Sequence, residues 1–322
     1  MRRAIGQNAL LLCGVALALL VPGAVVSGLP AGPALHAQEP TPVFKARSDL
    51  VVIHVNVFDG KSDAVPDLPQ RAFQVVEDGR TQKITFFNAA DVPVTVGLVI
   101  DNSGSMITRR NMVLAGGTVF AESSHPEDEL FTVVFNENVR FGLPEPLLFT
   151  QSRPLIQASL ISRDPGGMTA LYDAVVEALD RLHEATHQKR VLVVLSDGGD
   201  NASKRSRADM LHRALRSDAL IYTIWTGDLA GNLGNRGVLR ELSERTGGVN
   251  YAPRSEMAVV AAFKEIADNI RRGYSIGYVP SNPAADGEYR RIKVMVRVPG
   301  KTLSVRARDG YSASDGNNAN AQ

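Results

Sequence analysis

The sequence predicts an α/β fold: a doubly wound, mostly parallel sheet, inserted in or flanked by a small β-sandwich-like domain. Three observations predict it. Four apolar runs between Val94 and Trp225 are unbroken, which suits parallel strands covered on both faces. Stretches with apolar residues at helical spacing separate the runs, and strand–helix alternation builds a doubly wound sheet. On either side of this region the pattern changes to short alternating segments, the mark of half-buried strands.

The elements follow in chain order. The chain has 322 residues, enough for about two domains. Residues 1–37 read as an export signal. Arg2 and Arg3 form a basic start, an apolar run extends from Ala9 to Val26, and Leu35-His36-Ala37 offers a small residue at a cleavage point. An uncleaved membrane anchor is the alternative, because the run approaches spanning length, although Pro22 and Gly23 interrupt it. The one cysteine, Cys13, lies in this segment, so the mature chain would have neither disulfide nor thiol chemistry. The expected location is bacterial and exported: periplasmic, cell-surface or secreted. Residues 38–47 read as a linker. In the N-terminal β segment, 48–90, Val51, Ile53, Val55 and Val57 alternate with His54 and Asn56. This predicts a strand from Asp49 to Phe58 with His54 on its exposed side. Phe73–Glu77 and Lys83–Phe87 read as two more strands around the turn Asp78-Gly79.

The central domain is expected over 91–272. Its strands are Val94–Ile100, Leu130–Phe135, Val191–Leu195 and Ala219–Trp225. Its helices are Arg109–Ser123, Ala170–His183, Arg207–Arg216, Val238–Arg245 and a last one over Glu256–Arg271. Val139–Gly142 follows its neighbour too soon for a helical crossover, which predicts an antiparallel edge. In the C-terminal β segment, 273–311, the strands are Tyr274–Val279, Tyr289–Val298 and Thr302–Arg308. Three strands alone leave an apolar face and two open edges. The two flanks are therefore expected to form one β-domain, burying Val51, Ile53, Val55 and Val57 against Ile292, Val294, Val296 and Val298. The polar tail, 312–322, is expected to be disordered.

Charge excludes some partners. There are 35 Lys and Arg residues against 34 Asp and Glu, a net charge of +1. Without residues 1–37 the balance is 33 against 34. No broad field favours nucleic acid, and membrane contact is expected only through an uncleaved N-terminal segment. Among enzyme motifs, no Gly-x-Gly-x-x-Gly follows the first central strand, and neither a Gly-Lys-Ser/Thr loop nor a Gly-x-Ser-x-Gly elbow is present. His183-Glu184-Ala185-Thr186-His187 fits the zinc-peptidase pattern His-Glu-x-x-His. The extended form needs glycine at position 190 and histidine at 193, where Arg190 and Val193 stand. The motif also falls at the end of its helix, where histidine is favoured by the dipole alone. His125 and His212 read as surface helix residues.

The strongest site signal is Asp101-Asn102-Ser103-Gly104-Ser105, directly after the first central strand. By itself it also reads as a helix N-cap. Two further segments add to it: Gly166-Gly167-Met168-Thr169 at the start of a helix, and Ser196-Asp197-Gly198 after another strand. Ligands of open α/β sheets bind beyond the carboxyl ends of strands, where the strand order reverses. If the strands ending at Ile100 and Leu195 are neighbours, Asp101, Ser103, Ser105, Thr169 and Asp197 meet there. Two carboxylates and three hydroxyls make an all-oxygen set suited to Mg2+, with Mn2+ or Ca2+ as alternatives. Asp200 lies close enough to Asp197 to compete as a ligand.

At these residues the chain resembles the von Willebrand factor A (vWA) family, whose fold is doubly wound and Rossmann-like. The family's metal-ion-dependent adhesion site is Asp-x-Ser-x-Ser with a distant Thr and Asp, matched here by Asp101, Ser103, Ser105, Thr169 and Asp197. The resemblance covers about residues 92–272, including Gly247-Gly248. The flanks are similar to those of bacterial vWA-related proteins often found in acidobacteria. There a segment like Phe73-Gln74-Val75-Val76-Glu77-Asp78-Gly79 precedes the domain, and one like Arg308-Asp309-Gly310-Tyr311 follows it. The resemblance implies the fold and the metal, not a known partner. The five oxygen ligands would leave a sixth position of an octahedral ion open for an exposed carboxylate of a protein or glycan partner, so the expected function, with the export signal, is a non-enzymatic, exported adhesion or scaffold module. The alternatives are a zinc metallopeptidase through His183, Glu184 and His187, or a structural module with a vestigial metal site.

Overall fold

The computed structural model describes residues 50–60, 63–160, 164–227, 234–284 and 286–313. The segments read as export signal and linker lie outside the described residues. The N-terminal flank holds β1 (Val51–Asp59), β2 (Asp63–Ala64), β3 (Phe73–Glu77), β4 (Arg80–Gln82) and β5 (Ile84–Asn88). The central region begins with β6 (Thr95–Asp101), α1 (Arg110–Ser123), β7 (Glu129–Phe135), β8 (Val139–Phe141), α2 (Arg153–Leu160) and α3 (Leu171–Leu182). It continues with β9 (Arg190–Ser196), α4 (Arg207–Arg216), β10 (Leu220–Trp225), α5 (Arg236–Thr246), β11 (Asn250–Tyr251) and α6 (Glu256–Arg272). β12 (Tyr274–Tyr278), β13 (Tyr289–Val296), β14 (Leu303–Ala307) and β15 (Gly310–Ser312) follow.

Six strands form the central sheet in the order β11-β10-β9-β6-β7-β8. All neighbours are parallel except β8, which lies antiparallel beside β7 at the edge. The unbroken apolar runs are explained by burial on both faces: every residue of β6 and of β10 is buried. From β6 the chain steps to β7 and then returns to β9 on the other side of β6. The strand order reverses between β6 and β9, which opens a crevice beyond their carboxyl ends.

Helices cover the sheet. α3 turns Leu171, Ala174, Val175, Ala178, Leu179 and Leu182 inward, at helical spacing. α4 starts at a capping box in which Ser206 and Asp209 satisfy each other's backbone N–H groups. α5 stops at Gly247, whose φ of 90° is the left-handed cap that glycine takes without strain. α1 packs between α2 and α6, and glycine permits the approach: a Cβ on Gly116 would strike Phe263, and one on Gly117 would lie 2.5 Å from Leu160 Cδ1. The sequence reading lacks α2 and the strands β2, β4, β11 and β15. Those strands have two or three residues each, too short to show a period.

Strands of the two flanks share two antiparallel sheets. One has the order β14-β1-β12-β5, with β2 added along β1; the other is β15-β13-β3-β4. β1 thus carries C-terminal strands on both edges, β12 and β14, while β3 pairs with β13. Ile53, Val55, Val57, Tyr274 and Ile292 belong to the core between the sheets, with Val51, Val294, Val296 and Val298 at its margin. Buried Glu77 ties the layers by accepting from the Tyr278 hydroxyl at 2.6 Å and the Tyr311 hydroxyl at 3.0 Å.

Three expectations are corrected. The turn at Asp78 (φ 43°) and Gly79 (φ 81°) joins β3 to β4, not to the strand after Lys83. That strand, β5, crosses to the other sheet and pairs with β12. Ser312, read as tail, pairs with Tyr289 in β15. His54, read as exposed, is only 9% exposed. The polar side of β1 faces the central domain instead of solvent. Asn56 donates to the Tyr222 hydroxyl of β10 at 2.9 Å, and a His54 ring nitrogen lies 3.1 Å from Ser275 Oγ.

The rest of this junction is also polar. Arg308 donates to Asp218 at 2.9 Å and to the Leu215 carbonyl at 2.7 Å. Buried Lys189 donates to the Ile270 carbonyl at the end of α6. Arg271 clasps both connections at once: it pairs with Asp91 at 2.9 Å and with buried Asp128 at 2.7 Å, while Asp128 accepts from the Val94 N–H. These contacts sit at the amino end of the central strands. β6 separates them from the crevice by about 20 Å, seven residues of extended chain.

Candidate metal centre

Asp101 ends β6 and is 1% exposed. Oδ1 accepts from the Ser103 N–H at 2.9 Å, and Oδ2 accepts from the Ser196 hydroxyl at 2.6 Å. Ser196 can reach because it ends β9, directly beside β6 in parallel register. The chain then turns into a 3₁₀ segment, Gly104–Arg109, which brings the hydroxyls of Ser103 and Ser105 to 3.2 Å from each other.

The Thr169 loop adjoins this turn. Gly104 N–H donates to the Gly167 carbonyl at 3.1 Å, and Gly166 N–H donates to the Asn102 carbonyl at 2.9 Å. Thr169 N–H donates to the Asn201 side chain at 2.8 Å, and Met168 N–H to the Glu137 carboxylate at 3.0 Å. Asp197 follows β9. Its Oδ1 accepts from the Gly199 N–H at 2.8 Å, and its carbonyl from the Trp225 indole at 2.9 Å. The structure therefore brings together the loops bearing all five residues read from the sequence.

Burial pushes the Asp101 carboxyl up to about 6. Hydrogen bonds from Ser103 and Ser196 pull it back, and the negative charge of Asp197 pushes it further up. A buried carboxylate beside a second carboxylate and three hydroxyls, with no arginine or lysine partner among the described residues, is a donor set that fits a hard cation.

Ser196, Asn201 and Glu137 support this site and went unread in the sequence. Their roles depend on which strands and loops are neighbours, and only the proximity of Ser196 to Asp197 hinted at one of them. Asp200, the possible rival ligand, turns Oδ2 to the start of α3. There it accepts from the Tyr172 N–H at 3.0 Å and the Ser203 hydroxyl at 2.5 Å. A negative charge is favoured at that helix end.

The histidine motif is not assembled as a helical pair. α3 ends at Leu182, His183 caps it, and the chain through His187 is turn and bend. A His187 ring nitrogen instead lies 3.0 Å from the Glu127 carbonyl. No group of three or more His, Cys, Asp or Glu is placed to hold an ion among the described residues. His212 lies exposed on α4, whereas His125 lies in the loop before β7, not on a helix as read. No helix among the described residues is long and apolar enough to cross a membrane.

Residues 96–199 match the family model of the von Willebrand factor type A domain. No curated protein matches the chain. Among solved structures the chain is similar to a von Willebrand factor type A protein from Catenulispora acidiphila, at 15% identity and a TM-score of 0.49, covering 86% of this chain and 78% of that one. It is also similar to the vWF domain of the type V pili tip protein Mfa5 from Porphyromonas gingivalis, at 15% identity and a TM-score of 0.46, covering 56% and 96%. A third is proximal thread matrix protein 1 from the mussel byssus with a zinc-occupied MIDAS motif, at 14% identity and a TM-score of 0.45, covering 56% and 48%. The family match coincides with the strands and loops that carry the crevice, and the central domain of this chain is a von Willebrand factor type A domain.

Proposed function

We propose that the crevice binds one divalent cation through Asp101, Ser103, Ser105, Thr169 and Asp197, and that the bound cation captures an acidic group on a partner. The chain acts on this reading as an exported bacterial adhesion or scaffold module, without catalysis of its own. The observation that carries it is the buried, unneutralised Asp101 beside Asp197. The spacing of the serine hydroxyls supports it: neighbouring oxygens around an octahedral Mg2+ with bonds of about 2.1 Å lie about 3.0 Å apart, against 3.2 Å here. Five residues leave one of six positions for a partner's carboxylate. Mg2+ would supply Lewis-acid attraction for that carboxylate. Hydrolysis would also need a positioned base, and the carboxylates of Glu137 and Asp200 beside the crevice are engaged by the N–H groups of Met168 and Tyr172.

Calorimetry with Mg2+, Mn2+ and Ca2+ tests the reading. One ion per chain is expected, and Asp101→Ala is expected to abolish binding while circular dichroism stays unchanged. Undiminished metal binding by that variant would remove the assignment.

A further inference from the structure

Three consecutive backbone N–H groups around Thr169 are each held by a different partner. Met168 N–H donates to the Glu137 carboxylate at 3.0 Å, Thr169 N–H to the Asn201 side chain at 2.8 Å, and Ala170 N–H to the Asn136 carbonyl at 2.8 Å. Asn136 and Glu137 follow β7, and Asn201 lies just beyond Asp197 in the chain. Thr169 is therefore suspended between the turn after β7 and the segment that leaves the Asp197 loop. The link to that segment is reciprocal. Asn201 N–H and Ala202 N–H donate back to the Thr169 carbonyl, at 2.9 Å and 3.0 Å. Further along, Tyr172 N–H donates to Asp200 at 3.0 Å and Asp173 N–H to the Ser203 hydroxyl at 3.1 Å. Buried Asp173 answers by accepting from the Lys204 N–H at 2.8 Å and the Arg205 N–H at 3.0 Å. The start of α3 and residues 200–205 are thus zipped together, with one proposed ligand, Thr169, at the end of one side and another, Asp197, directly before the other.

We propose that Asn201 is a positioning residue that sets ion specificity: by clamping Thr169 to the Asp197 loop it fixes the width of the crevice and makes it select Mg2+ over Ca2+. The inference rests on the metal reading above and adds the residue that decides which ion is taken. The argument is one of size. Mg2+ takes six oxygens at about 2.1 Å, whereas Ca2+ takes six to eight at about 2.3–2.6 Å. Seating Ca2+ moves neighbouring ligands apart by about 0.4 Å. Bonds of 2.8–3.0 Å between Thr169 and residues 201–202 oppose that movement, because they would lengthen with it. Loops held this way also cannot fold inward to offer a seventh oxygen. Among these bonds, the one from Thr169 N–H to Asn201 alone ties a proposed ligand's backbone to a side chain, so it is the one that substitution can remove.

The test is calorimetric titration with Mg2+ and with Ca2+, each alone, on the full chain and two variants. The unsubstituted protein is expected to bind Mg2+ more tightly. Asn201→Ala removes the side-chain acceptor and keeps both return bonds to the Thr169 carbonyl; Asn201 is exposed, so the core is untouched. Its Mg2+ affinity should fall about tenfold, the usual cost of losing a group that orients a metal ligand. Its Ca2+ affinity should change little, so the ratio of the two falls by the same factor. Asn201→Asp keeps an acceptor for the Thr169 N–H. Its added charge strengthens both dications alike, and the ratio should return to that of the unsubstituted protein. Equal losses for the two ions in Asn201→Ala would overturn the assignment, because Asn201 would then only hold the loop in place. So would a ratio in Asn201→Asp as low as in Asn201→Ala. Ca2+ bound as tightly as Mg2+ by the unsubstituted protein would overturn it with no variant needed, and would leave the metal reading standing. Failure of the unsubstituted protein to bind either ion would overturn both readings together.

Discussion

Acidification is expected to loosen the seam between the flanking sheets and the central domain through His54. The ring is buried on the inner side of β1, with Ser275 as its hydrogen-bond partner. Burial holds its pKa down at about 3, against an ordinary 6.5, and the charges of Lys189 and Arg308 act in the same direction. Arg245 and Asp218 line the same small space, and Asp218 is engaged by Arg308. A depressed histidine pKa means that the fold keeps the ring neutral while the unfolded chain takes up a proton. The contribution to stability is complete above about pH 6.5 and is lost as the pH falls toward 3. The loss grows by about 1.4 kcal/mol per pH unit, so it reaches about 1.4 kcal/mol near pH 5.5 and about 2.7 kcal/mol near pH 4.5. Urea denaturation near pH 7.5 and near pH 5.5, on the protein and on His54→Gln, isolates the effect. The other five histidines are common to both proteins. Equal acid-induced losses in the two would refute the reasoning, because His54 would then titrate alike folded and unfolded.

Three further outcomes are expected. A Cβ on Gly248 would strike the Ile221 backbone carbonyl, which cannot move without breaking the β10 ladder. Gly248→Ala should therefore cost about 3 kcal/mol, read as a fall in the urea midpoint. A chain ending at Arg272 loses β12 and β14 from one sheet and β13 and β15 from the other. Its residues 50–88 should become protease-sensitive, and continued protection would show that the N-terminal flank holds itself together. No peptide cleavage is expected from His183, Glu184 and His187, and cleavage of casein that disappears in Glu184→Gln would contradict that.

What the sequence revealed, and what it concealed, follows from the range of the interactions. The central strands were legible because parallel strands covered on both faces leave long apolar runs, such as Val94–Ile100 and Val191–Leu195. The crevice was legible because Asp101 and Asp197 immediately follow such runs. His54 was misread for a physical reason: alternation shows that one face of β1 is apolar but not what covers the other. A polar face buried against Tyr222 and Arg308 has the same pattern as one in water. β5 was assigned to the wrong partner because the choice between two sheets is made by contacts with β12, about 190 residues away in sequence. The support given by Ser196 to Asp101 likewise exists only once β9 lies beside β6.

The central domain is joined to the flanking sheets twice, through the connection before β6 and through Gly273 after α6, and both joints lie at the end away from the crevice. This arrangement governs how the molecule would carry tension. A pull between a captured partner and the flanking sheets enters at the loop after Asp101 and leaves at the start of β6, along the strand axis. Hydrogen bonds to β7 on one side and β9 on the other would then be loaded in shear, many at once, instead of opening one by one from an end. Arg271, at the end of α6 beside one joint and bound to Asp91 and Asp128 at the other, would keep the two joints from separating and divide the force between them. The same insertion that leaves neither flank with a complete sheet of its own thus makes the domain a tether gripped at both of its roots.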